Sequence, residues 1–213
     1  MTFSSCLTEE DRQLVLDASV VINLLATGAP APILRALGIP VQVTDNVVQE
    51  VSRGDNNGDP ELASLDELIA SETVRVSRLE GSSLEMFAEL VSGSTVETLG
   101  DGEAATLAFA HAARASAAID ERKATRIASI RFRSLRLATT IDILANHAVV
   151  SEIGKEGLAR ATFQALRVAR MHVREHQFEW VAGTIGHENV ANCPSLRRLA
   201  SSRPQPNREK LKG

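Results

Sequence analysis

Short apolar runs alternate with longer helix-patterned stretches through the first 150 residues of this chain, a rhythm that calls for a parallel sheet covered by helices on both faces. Strands joined through helices cannot turn back as hairpins, so each enters the sheet in the same direction. Leu14-Val15-Leu16 and Ala117-Ala118-Ile119 suit its buried centre, and each run ends in an aspartate, Asp17 and Asp120. The carboxyl ends of such strands are where open α/β sheets hold their ligands.

The pattern predicts strands over 13–17, 41–44, 73–79, 116–120 and 135–140. Between them it predicts helices over 19–26, from Val47 through Val51 with Asp45 or Asn46 as cap, and over 61–71, 82–91, 121–132 and 141–148. An alanine-rich helix opens at Asp101 and runs through Ala112. Thr27 to Pro32 reads as a break and Arg53 to Pro60 as a loop. The expected fold class is therefore α/β: a three-layer α/β/α sandwich with a mostly parallel five-stranded sheet.

Beyond residue 150 the alternation stops. Lys155 to Phe178 reads as one long amphipathic helix whose Arg160, Arg167 and Arg174 recur every seven residues on one side. That stripe suits phosphate or an acidic partner protein, or is an ordinary solvated face. With 213 residues, 44% of them hydrophobic, the chain has material for one sizeable core and an appendage. The expected division is a domain over 1–150 and a C-terminal helical extension over 151–213 with a basic tail.

A net charge of −4 conceals two basic clusters. Arg122, Lys123, Arg126, Arg131, Arg133 and Arg136 stand together without an acid, and Arg197, Arg198, Arg203, Arg208, Lys210 and Lys212 crowd the end. Both suit nucleic acid. Cys6 and Cys193 lack CxxC spacing and are expected as reduced thiols. No apolar stretch reaches membrane-spanning length, so the expectation is a cytoplasmic protein that does not enter the membrane.

Glu50 and Glu103 fall near helix starts at the same sheet edge as Asp17 and Asp120. Singly, each acid has a bland role as a cap, a dipole partner or a solvated side chain. Together they form a carboxylate cluster that repels itself without a cation. Mg²⁺ and Mn²⁺ favour such hard oxygen donors and leave positions for water and phosphate, which makes a metal-dependent phosphodiesterase the chemical expectation. Three alternatives fit less well. Gly100 to Ala105 matches GxGxxA, but the preceding Ser94 to Leu99 is too polar for the central strand that motif follows. His172 and His176 stand four apart without a third zinc ligand nearby. Ala-Ser after Asp17 lacks the second aspartate of haloacid-dehalogenase-like phosphatases.

Leu-Val-Leu-Asp-Ala-Ser-Val-Val-Ile-Asn at 14–23, Val-Thr-Asp-Asn-Val-Val-Gln-Glu-Val at 43–51, Leu-Gly-Asp-Gly-Glu-Ala-Ala at 99–105 and Ala-Ile-Asp-Glu-Arg at 118–122 resemble PIN-domain nucleases in residues, order and spacing. The likeness is to small bacterial toxin-like members. It implies a Mg²⁺- or Mn²⁺-dependent endoribonuclease, plausible as the toxin of a toxin-antitoxin pair, with Asp17, Glu50, Glu103 and Asp120 catalytic and Asp17, Glu103 and Asp120 on the metal. Ser19, Asn23, Arg122, Arg126 and Thr140 are the expected substrate contacts. RNA, an antitoxin or other regulatory protein, and further copies of the chain are the implied partners. Ala138-Thr139-Thr140 departs from the Thr-Gly-Thr of that branch and leaves the role of Asp142 open. The rival expectation is a non-catalytic PIN-like scaffold that binds nucleic acid or protein.

Overall fold

The computed structural model describes residues 3–8, 10–54, 60–92 and 98–201. In chain order the elements are β1 (Leu14–Leu16), α1 (Ala18–Ala26), α2 (Pro30–Ala36), β2 (Val41–Thr44), α3 (Asp45–Gly54), α4 (Pro60–Ala70), β3 (Arg75–Ser77) and α5 (Ser82–Val91). Then come α6 (Asp101–Ala112), β4 (Ser116–Ala118), α7 (Arg122–Arg131), β5 (Leu137–Ala138), α8 (Thr140–Leu144), α9 (His147–Arg167), α10 (Phe178–Ile185) and α11 (Pro194–Ser201). Among these, no single helix is long and apolar enough to cross a membrane.

All five strands are parallel, in the order β3-β2-β1-β4-β5. Leu14 is in register with Val41 on one side and Ser116 on the other, which puts β1 at the centre. Strand alternation then builds two cores. Leu14, Leu16 and Ala118 face a large apolar cluster with α1, α2, α8, α9 and α10, whereas Val15, Ala117 and Ile119 face a smaller one with α5, α6 and α7. The three-layer expectation holds.

The chain runs outward from β1 through β2 to β3, then crosses back to β4 on the other side of β1. The switch point falls between β1 and β4, so their carboxyl ends diverge into opposite helical connections and leave a crevice. Asp17 and Asp120 stand at its two lips, and the Asp17 nitrogen donates to the Ala118 carbonyl at 3.1 Å.

Several expectations are corrected. Thr27 to Pro32 is not wholly a break, because Pro30 begins α2 at a helix start, where a missing N–H costs nothing. Residues 155–178 are not one helix. The helix begins at His147, bends at Gly154 (φ 68°) and stops at Arg167. Arg170 then turns left-handed (φ 53°), and the Met171 nitrogen donates to the Ala165 carbonyl, closing the helix end. Arg174 and the two histidines consequently leave the arginine stripe and the helix: His172 lies in irregular chain and His176 in a 3-10 turn, Glu175–Gln177. Leu158, Ala161, Ala165 and Leu166 of this helix are buried in the larger core with Met171, Val173 and Phe178, while Arg160 and Arg167 stay exposed on its outer side. Most of the 53–60 loop, the polar segment before Gly100 and the basic tail beyond 201 lie outside the described residues.

Candidate active site

Asp17 follows β1 with extended backbone and caps α1. Its Oδ2 accepts from the Ser19 hydroxyl at 2.7 Å and from the Ser19 nitrogen at 3.4 Å. Its other oxygen, Oδ1, is buried without a hydrogen-bond partner among the described residues. A buried carboxylate oxygen left unmatched is costly, and such groups point to an ion or water that completes them. The residue is 2% exposed, and burial pushes its carboxyl up to about 6 against the help of Ser19, with Glu50 adding like-charge repulsion.

Glu50, on α3 at the β2 side, brings its carboxylate into the electrostatic neighbourhood of Asp17. Both carboxylates lie beside Gly102 in the first turn of α6. A Cβ there would overlap the Glu50 carboxylate and stand 3.7 Å from Asp17 Oδ1. The second glycine of Gly-Asp-Gly-Glu is therefore space for two carboxylates rather than a conformational need, which sequence reading missed.

Glu103 lies one residue further along α6. Its Oε2 accepts from the Gly100 nitrogen at 3.1 Å, so Glu103 reaches back to close the helix start at Gly100. Burial first, then the charge of Asp17, drives its carboxyl up to about 7; Glu121 and Glu50 contribute in the same direction. Asp17, Glu50, Glu103 and Glu121 thus share one electrostatic neighbourhood. Glu121, which precedes α7 and accepts from the Ala124 nitrogen at 2.7 Å, is an unanticipated member.

Asp120 is held differently. Thr140 donates to Oδ1 from its nitrogen and to Oδ2 from its hydroxyl, and Asn23 Nδ2 donates to Oδ2 at 2.7 Å. Burial raises its carboxyl despite these bonds, while Arg174 acts in the opposite sense. Asn23 and Thr140 are thus bonded to the carboxylate. Among the described residues, no three of the His, Cys, Asp and Glu side chains are grouped to hold a metal ion as they stand. Asp17 with Glu50 fits a hard cation by donor type and by the open Oδ1; Glu103 and Asp120 flank that pair, each engaged elsewhere.

Ser19, Asn23 and Asp120 line a cavity of about 450 Å³ with Arg122 and residues 169–172. Arg122 Nε donates to His172 Nε2 at 3.0 Å, which makes this imidazole the neutral tautomer; burial and the neighbouring guanidinium lower its pKa. Arg122, Arg126 and Arg174 also line an adjoining cavity of about 430 Å³. Arg174 is anchored by donating to the Thr125 hydroxyl at 3.0 Å.

Asp142 belongs to a separate network. Its Oδ2 accepts from the Thr139 nitrogen and hydroxyl at 2.9 and 2.6 Å, and its Oδ1 from the Cys6 nitrogen at 3.1 Å. It is the capping-box acid of α8. Thr139 is extended at φ −123°, so the glycine that the Thr-Gly-Thr pattern supplies is not required here.

The Rickettsia felis VapBC2 complex, solved bound to a DNA fragment from its promoter, is similar at a TM-score of 0.46 and 14% identity, over 60% of this chain and 98% of that one. No curated protein matches. The family model of the PIN domain matches residues 13–186, which takes in all five strands, the four acids and the segment that walls the cavity. The chain belongs to the PIN-domain family.

Proposed function

We propose that this protein is a Mg²⁺- or Mn²⁺-dependent endoribonuclease. The observation that carries the reading is the buried, unpartnered Asp17 Oδ1, with the Glu50 carboxylate brought into its neighbourhood through the space left at Gly102. Asp17, Glu103 and Asp120 would hold the ion, with Glu50 completing the catalytic acids. A bound divalent ion supplies polarisation of the scissile phosphate and a lowered pKa for an attacking water. Asn23 and Thr140 position the Asp120 carboxylate, and Ser19 that of Asp17. Arg122 and Arg126, exposed at the start of α7, neutralise flanking phosphates. The reading extends to a cytoplasmic enzyme restrained by an antitoxin-like protein and self-associating. Ile130 and Val168, 62% and 58% accessible, are among the exposed apolar side chains available for such contacts, with Leu84 and Val76 elsewhere.

The reading is tested by cleavage of labelled RNAs with and without Mn²⁺, comparing wild type with an Asp17→Asn, Asp120→Asn double variant. Metal-dependent cutting lost in the folded double variant supports it; equal cutting by both sinks it. A scaffold reading is favoured by one observation, the engagement of Glu103 and Asp120 in hydrogen bonds of their own. RNA binding without cutting or metal-dependent stabilisation would establish it.

A further inference from the structure

The cavity beside Asp120 has walls unlike the acids at its edge. Ile22 from α1 and Ala169 and Met171 from the segment after α9 give it a substantially apolar wall, while Ser19, Asn23 and His172 supply polar groups and Asp120 and Glu121 carboxylates. Phosphate alone has no use for such a wall. The second cavity, beyond Arg122, is the reverse: Arg122, Arg126 and Arg174 set three positive charges against the one carboxylate of Glu175, with Thr125 and Ser129 beside them. Arg122 lines both. An apolar, roughly nucleoside-sized chamber next to a basic one matches the two halves of a nucleotide, a flat base and a charged phosphate.

Resting on the endoribonuclease reading, we propose that the 450 Å³ cavity receives one unstacked base of a single-stranded RNA while the Arg122–Arg126–Arg174 chamber holds the adjoining phosphate. Single-stranded RNA is recognised by splaying bases out of the stack onto protein walls, which a duplex cannot offer without melting. The wall that makes the chamber comes from residues 169–172, held by Met171 buried in the core and by the Arg122–His172 hydrogen bond. Arg170 stands at its rim in left-handed backbone, as Glu72 and Arg114 do elsewhere. That conformation favours glycine, so Arg170→Gly removes a cation without harming the fold.

The test uses the full chain in EDTA, so that binding is read apart from cutting. A short single-stranded oligoribonucleotide carrying one 2-aminopurine and a terminal fluorescein is titrated with wild type, Ala169→Phe and Arg170→Gly, affinity being read from fluorescein anisotropy, and the titration is repeated with an abasic site in place of the 2-aminopurine. Ala169→Phe fills the chamber from its half-buried wall, and its folding is checked by circular dichroism and thermal melting. The expected result is a fluorescence change with wild type that Ala169→Phe abolishes, with affinity falling about tenfold. The abasic strand loses a similar factor with wild type and nothing further with Ala169→Phe. Arg170→Gly keeps the fluorescence change at saturation but weakens binding and flattens its salt dependence. An unaltered fluorescence change in folded Ala169→Phe, or an abasic penalty as large in that variant as in wild type, overturns the proposal. Base insertion without Mn²⁺-dependent cutting would sink the nuclease reading instead, which separates the two failures.

Discussion

Thr140 grips both oxygens of Asp120, its backbone nitrogen donating to Oδ1 at 2.9 Å and its hydroxyl to Oδ2 at 2.5 Å. Thr140 begins α8 just after β5, and Asp120 follows β4, so the bonds tie neighbouring strand ends on the β5 side of the crevice. Thr140→Val keeps the nitrogen and the shape but removes the hydroxyl. The expected outcome is a loss of about 1–2 kcal/mol in urea unfolding, with RNA cleavage falling at least tenfold because Asp120 is left less favoured as an anion. Unchanged cleavage would separate Asp120 from catalysis.

The elevated acids set a pH dependence whose direction is fixed. A carboxyl whose folded pKa lies above its unfolded value binds more protons in the folded state. Its stabilising contribution is therefore complete below about pH 4 and lost as pH rises through the folded value. For Asp17 that window closes near 6 and for Glu103 near 7. Metal-free Asp17→Asn should match wild type near pH 4 and exceed it at pH 7, by on the order of 2–3 kcal/mol. Thermal melts in EDTA across that range check it. The stabilisation of wild type by Mn²⁺ should grow over the same interval, since ligands bind metal only when deprotonated.

Gly102→Ala tests whether the carboxylate pair matters. Alanine suits a helix better than glycine by about 1 kcal/mol, and the overlap it creates is with the mobile end of the exposed Glu50 side chain rather than with backbone. Metal-free stability should therefore change little. The Mn²⁺ concentration needed for half-maximal stabilisation should rise at least tenfold and the cleavage rate fall at least tenfold, measured by melting against metal concentration and by single-turnover cutting. A variant with wild-type metal response would show that Glu50 need not approach Asp17.

Gln177 joins the C-terminal part to the sheet. It is 1% exposed, its Nε2 donates to the Thr139 hydroxyl at 2.9 Å and its Oε1 accepts from the Arg174 nitrogen at 2.9 Å. Gln177→Leu should cost about 1–3 kcal/mol in urea unfolding, because polar partners are left buried. Removing the exposed Glu10 from its 3.5 Å pair with Arg136 should cost under about 1 kcal/mol.

The two buried runs ending in Asp17 and Asp120 were readable because a central parallel strand is apolar on both faces and local sequence alone specifies it. The acids on α3 and α6 were readable only through their order along the chain and the family resemblance. What local pattern could not show is the end of α9. Arg167 to Phe178 keeps helix-compatible composition, and only the burial of Met171 and Val173 in a distant core draws the chain out of the helix at Arg170. His172 and Arg174 were hidden for the same reason, since their neighbours Arg122 and Thr125 lie some fifty residues upstream. Pro30 misled because proline marks breaks and helix starts alike.

Thr139 and Asp142 are where distant stretches of chain converge: Cys6 donates to one side of Asp142, and Gln177 to Thr139 on the other. Residues 14–120 hold all four acids, whereas the wall at 169–172 and the clasp at Gln177 come only later in the chain, beyond the last strand. A fragment cut before Ala169 would therefore keep its acids and lose the wall of the chamber beside them, so the two halves of the candidate site are assembled by separate stretches of chain.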